Sequence, residues 1–255
     1  MNKINDCLVV IFDVEETTTQ LSKLCFEKLG FQNVEIISGN DGFHEKFLKF
    51  AKKASKTNFE YFIRSDSDRL VFEGMVELVE KYKNSKEKNI DNLEGFGYDY
   101  FLNKFRGATP QLYTRNCLER LNDNNNLISN VPKPENFFGK KAKLNFKSNN
   151  IFTNLHDYGQ LPSKACNSFV NRFIRDGLVH YDLNHINNLP NHYKKSFKHA
   201  YDLFSTGRLK QKNDMNYLDF KFLDKDYTCS IKGNLEGAYK YYEEIYCNLK
   251  TRFNK

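Results

Sequence analysis

The first 82 residues alternate between short apolar runs and amphipathic stretches, and this alternation constrains the fold more than any other feature of the chain. Apolar runs occupy residues 7–12, 34–39 and 59–64. The first of them is rich in β-branched residues, as in a buried parallel strand. Apolar residues at helical spacing follow each run. Three strand–helix units in succession predict an α/β fold with right-handed crossovers between parallel strands.

The helices of these units are predicted to end at Gly30, to cover 42–56 and to cover 70–82. Beyond residue 83 the regular alternation stops. Strands or a loop are predicted over 93–107, a short helix over 115–121, a long loop over 122–150, and helices over 164–177, 191–206 and 235–251. Without an internal repeat or a low-complexity linker, the pattern predicts one domain over 1–255, with halves 1–105 and 106–255.

Charge and cysteine usage narrow the class of protein. Lys and Arg exceed Asp and Glu by 7, which favours anionic partners. The six cysteines form no C-x-x-C pair, so reduced thiols are predicted. The first apolar run is too short for a signal peptide, and a cytoplasmic protein is therefore expected. Lysine-rich segments at 139–147 and 192–212 are either solvated faces or surfaces for anionic lipid headgroups.

Two carboxylates lie two residues apart in the segment "FIRSDSDRLVFEG", directly after the third predicted strand. In an extended segment Asp66 and Asp68 point the same way, which is unfavourable unless a cation or hydrogen bonds compensate. Mg²⁺ or Mn²⁺ can bridge such carboxylates to phosphate oxygens. Arg64 and Arg69 flank the pair and could meet phosphate directly. A D-x-D sequence also occurs by chance in many loops, but ligands bind at the carboxyl ends of parallel strands, where this one lies.

With these segments the chain resembles the glycosyltransferases of GT-A fold, in the nucleotide-diphospho-sugar transferase superfamily. The resemblance covers roughly residues 7–182. It rests on "YFIRSDSDRLVFEGMVELVE", on "EIISGNDG", on "GATPQLYTRNCLERL" and on "LHDYGQLPSKACNSFVNRFIRDGLVHYD", which is similar to the family's E-D segment. It implies a Rossmann-like α/β fold with a mostly parallel central sheet flanked by helices and a helical C-terminal elaboration.

The same resemblance implies roles for individual residues. Asp66, Asp68 and His156 would hold a divalent metal, Mn²⁺ or Mg²⁺, and Asp157 would act as general base on the acceptor hydroxyl. The residues implied to contact the nucleotide sugar are Asp13, Glu15, Asp41, Arg64, Asp66 and Arg69. The arginine and glycine of the E-D segment correspond to Arg172 or Arg175, and to Gly177.

Two segments depart from the family's pattern. The first strand ends in "IFDVEE" where the family has Pro and Asn before an acidic pair, so Asp13 and Glu15 match by position alone. The E-D pair is His156-Asp157 here. His156 therefore has two open interpretations, as the residue beside the base or as a third metal ligand.

The family resemblance implies a donor that is a nucleotide-diphosphate sugar and an acceptor that is a glycan or a lipid-linked molecule. Residues 1–105 would form the half that binds the donor, and 106–255 the half that binds the acceptor. The loop over 122–150 would be a lid or an acceptor-binding segment. The resemblance also leads us to expect a role in surface polysaccharide biosynthesis, peripheral contact with the inner membrane face and no nucleic-acid partner.

Two alternative functions fit part of the sequence. "VVIFDVEETTT" resembles the first motif of haloacid dehalogenase phosphatases, with Asp13 as nucleophile and Glu15 in place of the second Asp. The later lysine and acidic pair of that family have no clear match. The other alternative is a non-catalytic nucleotide-binding protein. Nucleotidyltransferases share the GT-A fold, but their Gly-rich loop after the first strand is missing here.

Overall fold

A computed structural model describes most of the chain as one sheet with helices around it. The described residues are 3–39, 41–84, 92–123, 145–208, 218–225, 227–228, 231 and 233–254. The strands are β1 (Ile4–Phe12), β2 (Phe31–Ile37), β3 (Tyr61–Asp66), β4 (Arg69–Val71), β5 (Asn92–Asp99), β6 (Lys104–Thr114) and β7 (Asn145–His156). The helices are α1 (Thr19–Lys28), α2 (Phe43–Lys56), α3 (Gly74–Asn84), α4 (Arg115–Asp123), α5 (Pro162–Asp176), α6 (Leu183–Asn188), α7 (Asn191–Ser205) and α8 (Leu235–Phe253), with a 3₁₀ turn at Lys221–Asp224.

The seven strands lie in the order β2-β1-β3-β6-β5-β7-β4. Strand β1 is parallel to β2 and β3, and β5 is parallel to β7. Strand β6 runs antiparallel between β3 and β5, and β4 is antiparallel to β7. Among the described strands, five therefore point in one direction and two in the other. The predicted α/β fold with a mostly parallel central sheet flanked by helices is confirmed.

Alternate residues of β1 enter separate cores on the two faces of the sheet. Leu8 and Val10 pack with α2 and α4, whereas Val9 and Ile11 pack with α1, α3 and α8. A strand buried on both faces reads as a continuous apolar run, which is how this strand appears in the sequence. The apolar stripe of Phe47, Phe50, Ala51 and Ala54 on α2 fills one of these cores, as its helical spacing predicts.

The second half of the chain adds a helical layer. Helices α5, α6 and α7 enclose a third apolar cluster around Phe101. Helix α8 returns to the sheet, where the Tyr242 hydroxyl donates to the Val71 carbonyl at 2.6 Å and its ring stacks on Phe72. The aromatic spacing of this last helix thus reflects core packing, and the predicted helical C-terminal elaboration is present. None of the helices in the described ranges is long and apolar enough to cross a membrane.

The structure corrects the helix predicted over 70–82. Residues Arg69–Val71 instead form β4, whose Leu70 pairs with Leu155 of β7. The helix begins only at Gly74, where a Cβ would lie 2.0 Å from the Phe152 carbonyl oxygen. This close approach requires glycine, and it packs the start of α3 tightly on β7.

Two further segments contain strands. Residues 93–107, predicted as strands or a loop, form the antiparallel pair β5–β6 with a turn at residues 100–103 between them. The loop predicted over 122–150 is shorter, because α4 continues to Asp123 and β7 begins at Asn145; residues 124–144 lie outside the described residues. Four cysteines are buried free thiols (Cys7, Cys25, Cys117 and Cys166), as predicted, and Cys247 is an exposed one. Cys229 lies outside the described residues.

Candidate active site

The polar residues that the sequence singled out meet at one edge of the sheet, where β1, β3, β5 and β7 end. In the strand register Phe12 pairs with Asp66, and Asp99 pairs with His156. Strand β4 starts at the same edge, with Arg69 opposite His156. The carboxyl edge of a mainly parallel sheet is the usual position of a ligand site in α/β proteins.

Asp68, His156 and Asp157 form the centre of this edge. The Nε2 atom of His156 lies 3.2 Å from Asp68 Oδ2, and its Nδ1 atom lies 3.2 Å from Asp157 Oδ2. One potential ligand atom from each residue lies within 4.8 Å of the others, a spacing that could hold a metal ion. Asp66 lies outside this group, with its side chain 35% exposed and 3.7 Å from Arg64. Of the three predicted metal ligands, two are therefore brought together, with Asp157 as the third member of the group.

The residues of the group fit a hard divalent cation. Asp68 Oδ1 and Gln160 Oε1 are buried, and within the described part of the chain they accept no hydrogen bond; Asp68 Oδ1 lies 3.7 Å from Arg69 Nε. A buried acceptor without a donor costs about 1–3 kcal/mol, so such atoms are rarely left unsatisfied. Carboxylate and amide oxygens together with imidazole are ligands that Mg²⁺ and Mn²⁺ accept in proteins.

Asp99, at the end of β5, contacts His156 and holds this group in place, although the sequence did not single it out. It is 1% exposed, and its carboxylate lies 2.6 Å from Arg106 Nη2 and 3.1 Å from His156 Nδ1. Arg172 donates to both Asp99 oxygens, at 3.2 and 3.1 Å. Burial would raise the pKa of Asp99, but the hydrogen bond and charge of His156, with the two arginines, hold this pKa below its usual range.

Asp157 is held by contacts on both of its oxygens. Arg172 donates to Oδ2 in a close ion pair, and the Gln160 amide donates to Oδ1 at 3.0 Å. The backbone of Asp157 has a φ of 64°, a conformation that directs its side chain into the edge at the cost of local strain. Of the two arginines that match the family motif, Arg172 faces the site, whereas Arg175 pairs with Asp176 on the surface.

Protonation of His156 follows from the charges around it. Burial and the charge of Arg69 lower the pKa of this imidazole, but Asp157 and Asp68 outweigh them and raise it above its ordinary value. The carboxylate of Asp68 shows the reverse effect: burial acts to raise its pKa, and His156 and Arg69 hold it well below the usual range. The Nε2 atom faces Asp68, and the Nδ1 atom faces Asp99 and Asp157. A cation at Nε2 would require the neutral ring, with its proton on Nδ1.

The loop between β1 and α1 brings a further acidic residue towards the site. Asp13 Oδ1 accepts hydrogen bonds from the Glu15 and Glu16 amides at 2.9 and 3.3 Å and from the Thr19 hydroxyl at 2.7 Å. Glu15 is exposed, with a φ of 62°. Glu16 turns inward, and burial together with the charges of Asp68, Asp157 and Asp13 raises its pKa to about 8.

The remaining predicted donor-binding residues take different positions. Asp41 precedes α2 and forms an ion pair with Lys49. Arg64 is buried beneath the edge, with its guanidinium 4.9 Å from the centre of the Phe43 ring. Arg69 is buried and donates to Asn154 Oδ1 at 3.3 Å, and burial lowers its pKa.

Four site residues were missed from the sequence: Glu16, Asp99, Arg106 and Gln160. Asp99 had one local signal, since it is an acidic residue at the end of the apolar segment "GFGYDYF". Arg106 and Gln160 had none, because their roles depend on the pairing of β5 with β6 and on the turn after β7.

Comparisons with known proteins give fold-level similarity only. No protein-family model matches the chain, and no curated protein matches it. A glycosyltransferase involved in glycosylation of the major capsid of PBCV-1 aligns at a TM-score of 0.39 and 12% identity, covering 59% of this chain and 92% of the other. A 4-diphosphocytidyl-2C-methyl-D-erythritol synthase from Anaerococcus prevotii aligns at 0.42 and 8% identity, covering 62% and 91%. A cytidylyltransferase from Leptospira borgpetersenii aligns at 0.38 and 9% identity, covering 88% and 99%. Glycosyltransferases and nucleotidyltransferases both appear among these structures, and similarity at this level does not distinguish the two activities.

Proposed function

We propose that the chain is a metal-dependent glycosyltransferase that moves a sugar from a nucleotide-diphosphate donor to a glycan or lipid-linked acceptor. The observation that carries the proposal is the group of Asp68, His156 and Asp157 at the carboxyl edge of the sheet, with buried oxygens that accept no hydrogen bond from the described residues. The family resemblance of the surrounding segments favours sugar transfer over other reactions at such an edge. Surface polysaccharide biosynthesis and peripheral contact with an inner membrane belong to the proposal through that resemblance alone.

Asp68 and His156 would hold the cation, with Asp66 at the more exposed end of the same segment. A divalent cation bound there stabilises the negative charge that develops on a departing nucleoside diphosphate, by several kcal/mol. Together with His156, Arg69 and Arg172 hold the pKa of Asp68 below its usual range against the effect of burial, and so preserve the affinity of this carboxylate for a cation. Asp13, Glu15 and Asp41 end the neighbouring strands and would contact the nucleoside.

Asp157 is the proposed base for the acceptor hydroxyl. Its Oδ2 atom contacts Arg172 and His156, whereas Oδ1 accepts only the neutral amide of Gln160 among the contacts within the described residues. A neutral donor lowers the basicity of an oxygen less than a cation does. The proton of the acceptor would therefore move to Asp157 Oδ1 as the new glycosidic bond forms and the bond between the sugar and the diphosphate breaks.

The experiment that tests the proposal is a thermal-shift screen of nucleoside diphosphates with and without Mn²⁺. We expect one nucleotide to raise the melting temperature only when Mn²⁺ is present. Asp68→Ala should abolish this rise, whereas Asp176→Ala, which removes a surface carboxylate on α5, should keep it. With the matching sugar nucleotide, Asp68→Ala should lower the rate of nucleoside diphosphate release about 10³-fold, equivalent to ~4 kcal/mol.

A different set of activities in the wild type and its variants would support the phosphatase alternative. In that case a generic phosphoester would be hydrolysed, Asp13→Asn would abolish hydrolysis, and Asp68→Asn would leave it intact. The structure gives Asp13 a loop-capping role, since one of its oxygens already accepts from two backbone amides and the Thr19 hydroxyl. A flat thermal response to every nucleotide, with and without Mn²⁺, would contradict the transferase proposal.

A further inference from the structure

Gln160 lies in the turn between β7 and α5 and connects the two carboxylates of the site. It is 3% exposed. Its amide Nε2 atom donates to Asp157 Oδ1 at 3.0 Å and to Asp68 Oδ2 at 3.3 Å. Its backbone carbonyl accepts a hydrogen bond from the Tyr193 hydroxyl at 3.0 Å. The residue is thus fixed at its main chain and at the nitrogen end of its side chain.

The chemistry of the neighbours determines which way the amide points. A carboxylate only accepts hydrogen bonds, so the end of the amide that faces Asp68 and Asp157 must be the NH₂ group. Rotating the amide by half a turn would place its carbonyl oxygen against two negative charges. The Oε1 atom therefore points away from both carboxylates, and it is buried with no hydrogen-bond donor from the described residues.

A second unsatisfied oxygen belongs to the residue that Gln160 contacts. Asp68 uses Oδ2 for both Gln160 and His156. Its Oδ1 atom is buried, lies 3.7 Å from Arg69 Nε and accepts no hydrogen bond from the described chain. Asp68 Oδ1 and Gln160 Oε1 are thus two acceptors without hydrogen bonds, on residues that are hydrogen-bonded to each other. A cation could satisfy both oxygens, whereas one hydrogen-bond donor would satisfy only one. Amide carbonyl oxygens are established ligands of hard cations, and they add a bond without adding negative charge.

We infer that Gln160 supplies its Oε1 atom as a neutral ligand in the cation site, while its Nε2 atom holds Asp68 and Asp157 in place. The inference rests on the proposed function, because it assumes that the site takes a divalent cation. It assigns to the turn after β7 a role that the family resemblance does not give it. It also explains why a glutamine lies buried between two carboxylates.

Binding of Mn²⁺ alone tests this assignment, with no need for a sugar donor or an acceptor. Free Mn²⁺ is measured by electron paramagnetic resonance during titration of the full chain and its variants. We expect Gln160→Leu to weaken Mn²⁺ binding at least ~10-fold, the range typical of residues that orient metal ligands. Gln160→Glu retains an oxygen at the ligand position but loses the NH₂ group that faces Asp68 and Asp157, so it should bind Mn²⁺ more weakly than the wild type and several-fold more tightly than Gln160→Leu.

Gln111→Leu is the matched control. Gln111 is also buried and donates its amide to a carboxylate, that of Glu94 at 3.2 Å, but it lies in β6 away from the Asp68 group. This variant should lose stability without losing affinity for Mn²⁺. Thermal unfolding of each variant, followed by circular dichroism, shows that the titrated protein is folded.

The outcomes separate this inference from the proposed function. If the wild type binds no Mn²⁺ at millimolar concentrations, the metal-dependent function itself is wrong. If the wild type binds and Gln160→Leu binds equally well, only the inference about Gln160 is wrong. If Gln160→Glu loses as much affinity as Gln160→Leu, the amide acts solely as a donor, and the assignment of Oε1 as a ligand is overturned.

Discussion

Two groups of acidic residues end the strands of this sheet, and they are built in opposite ways. The loop group, Asp13, Glu15 and Asp41, follows β1 and β2 and is partly exposed to solvent. Asp13 is satisfied by the backbone of its own loop and Asp41 by a lysine of α2, while Glu15 is exposed. The buried group consists of Asp99 and Asp157, which are buried, and Asp68, whose side chain is 19% exposed. These carboxylates share His156 and the arginines of β4, β6 and α5.

This difference matches the two tasks that the proposed transferase would perform. Exposed and locally satisfied side chains can exchange water for a ligand at low cost, which suits contacts to a nucleoside. Buried carboxylates that share cations hold a fixed geometry, which suits a metal site, but none of them can be removed without leaving an unpaired buried charge. The buried group should therefore control stability and cation binding, and the loop group should control nucleotide binding.

The largest expected effect is on stability when Asp99 is neutralised. Asp99→Asn leaves Arg106, Arg172 and His156 without the charge that offsets their own. Breaking a buried ion pair from one side costs about 3–5 kcal/mol, and we expect this loss in the free energy of unfolding measured with urea.

The matched variant in the loop group is Asp41→Asn, which removes a half-exposed ion pair with Lys49. Exposed pairs contribute about 0–1 kcal/mol, so its effect should be several times smaller. Equal losses of unfolding free energy for the two variants would show that the loop group and the buried group contribute equally to stability.

Much of the fold and part of the buried group could be predicted from the sequence, because local pattern determined them. The helical stripe of α2 and the apolar run of β1 have periodicities that only one structure satisfies. Asp68 and the His156-Asp157 pair could be found because they follow apolar strands within short motifs. Asp99 could not, since its importance arises from the register that places it beside His156, 57 residues away in the chain.

The same reasoning explains the error at β4. Phe72 continues the helical stripe of Met75, Val76 and Val79, and the predicted helix therefore included Leu70 and Val71 as well. Pairing with β7 places Leu70 and Val71 in a strand instead, and that partner lies beyond a segment with no periodicity of its own. Tertiary pairing of this kind overrides a local helical pattern and leaves no trace in the segment itself.

A smaller effect is expected from Glu16, which links the two groups. Its pKa of about 8 in the folded state exceeds the ordinary value of 4.5, because burial and the nearby Asp68, Asp157 and Asp13 carboxylates outweigh the favourable charge of Lys164. The folded state thus holds more protons than the unfolded state between about pH 4.5 and 8, and stability falls as the pH rises through this window. Glu16→Gln removes this penalty and should stabilise the metal-free protein by about 2 kcal/mol at pH 8.5, the full shift being discounted for partial exposure.

Urea unfolding at pH 4.5 and at pH 8.5 tests this expectation. The difference between Glu16→Gln and the wild type should be near zero at the lower pH and should favour the variant at the higher pH. Glu15→Gln is the control, because Glu15 is exposed at the neighbouring position. A benefit of the same size at both pH values would show that Glu16 affects stability through packing rather than through its charge.

The smallest effect is expected from the hydrogen bond that closes the β1–α1 loop. Thr19→Val keeps the shape of the side chain but removes the hydroxyl that donates to Asp13 Oδ1 at 2.7 Å. Loss of one such bond should cost about 1 kcal/mol in unfolding free energy, whereas Thr251→Val, at an exposed threonine of α8, should cost less. The measurement that tests this variant compares its affinity for the nucleoside diphosphate with its affinity for Mn²⁺. Because the loop is loosened, binding of the nucleoside diphosphate should weaken, and binding of Mn²⁺ should stay unchanged. If Mn²⁺ affinity falls in parallel, the loop that carries Glu16 belongs to the cation site, and the loop group and the buried group must be treated as one.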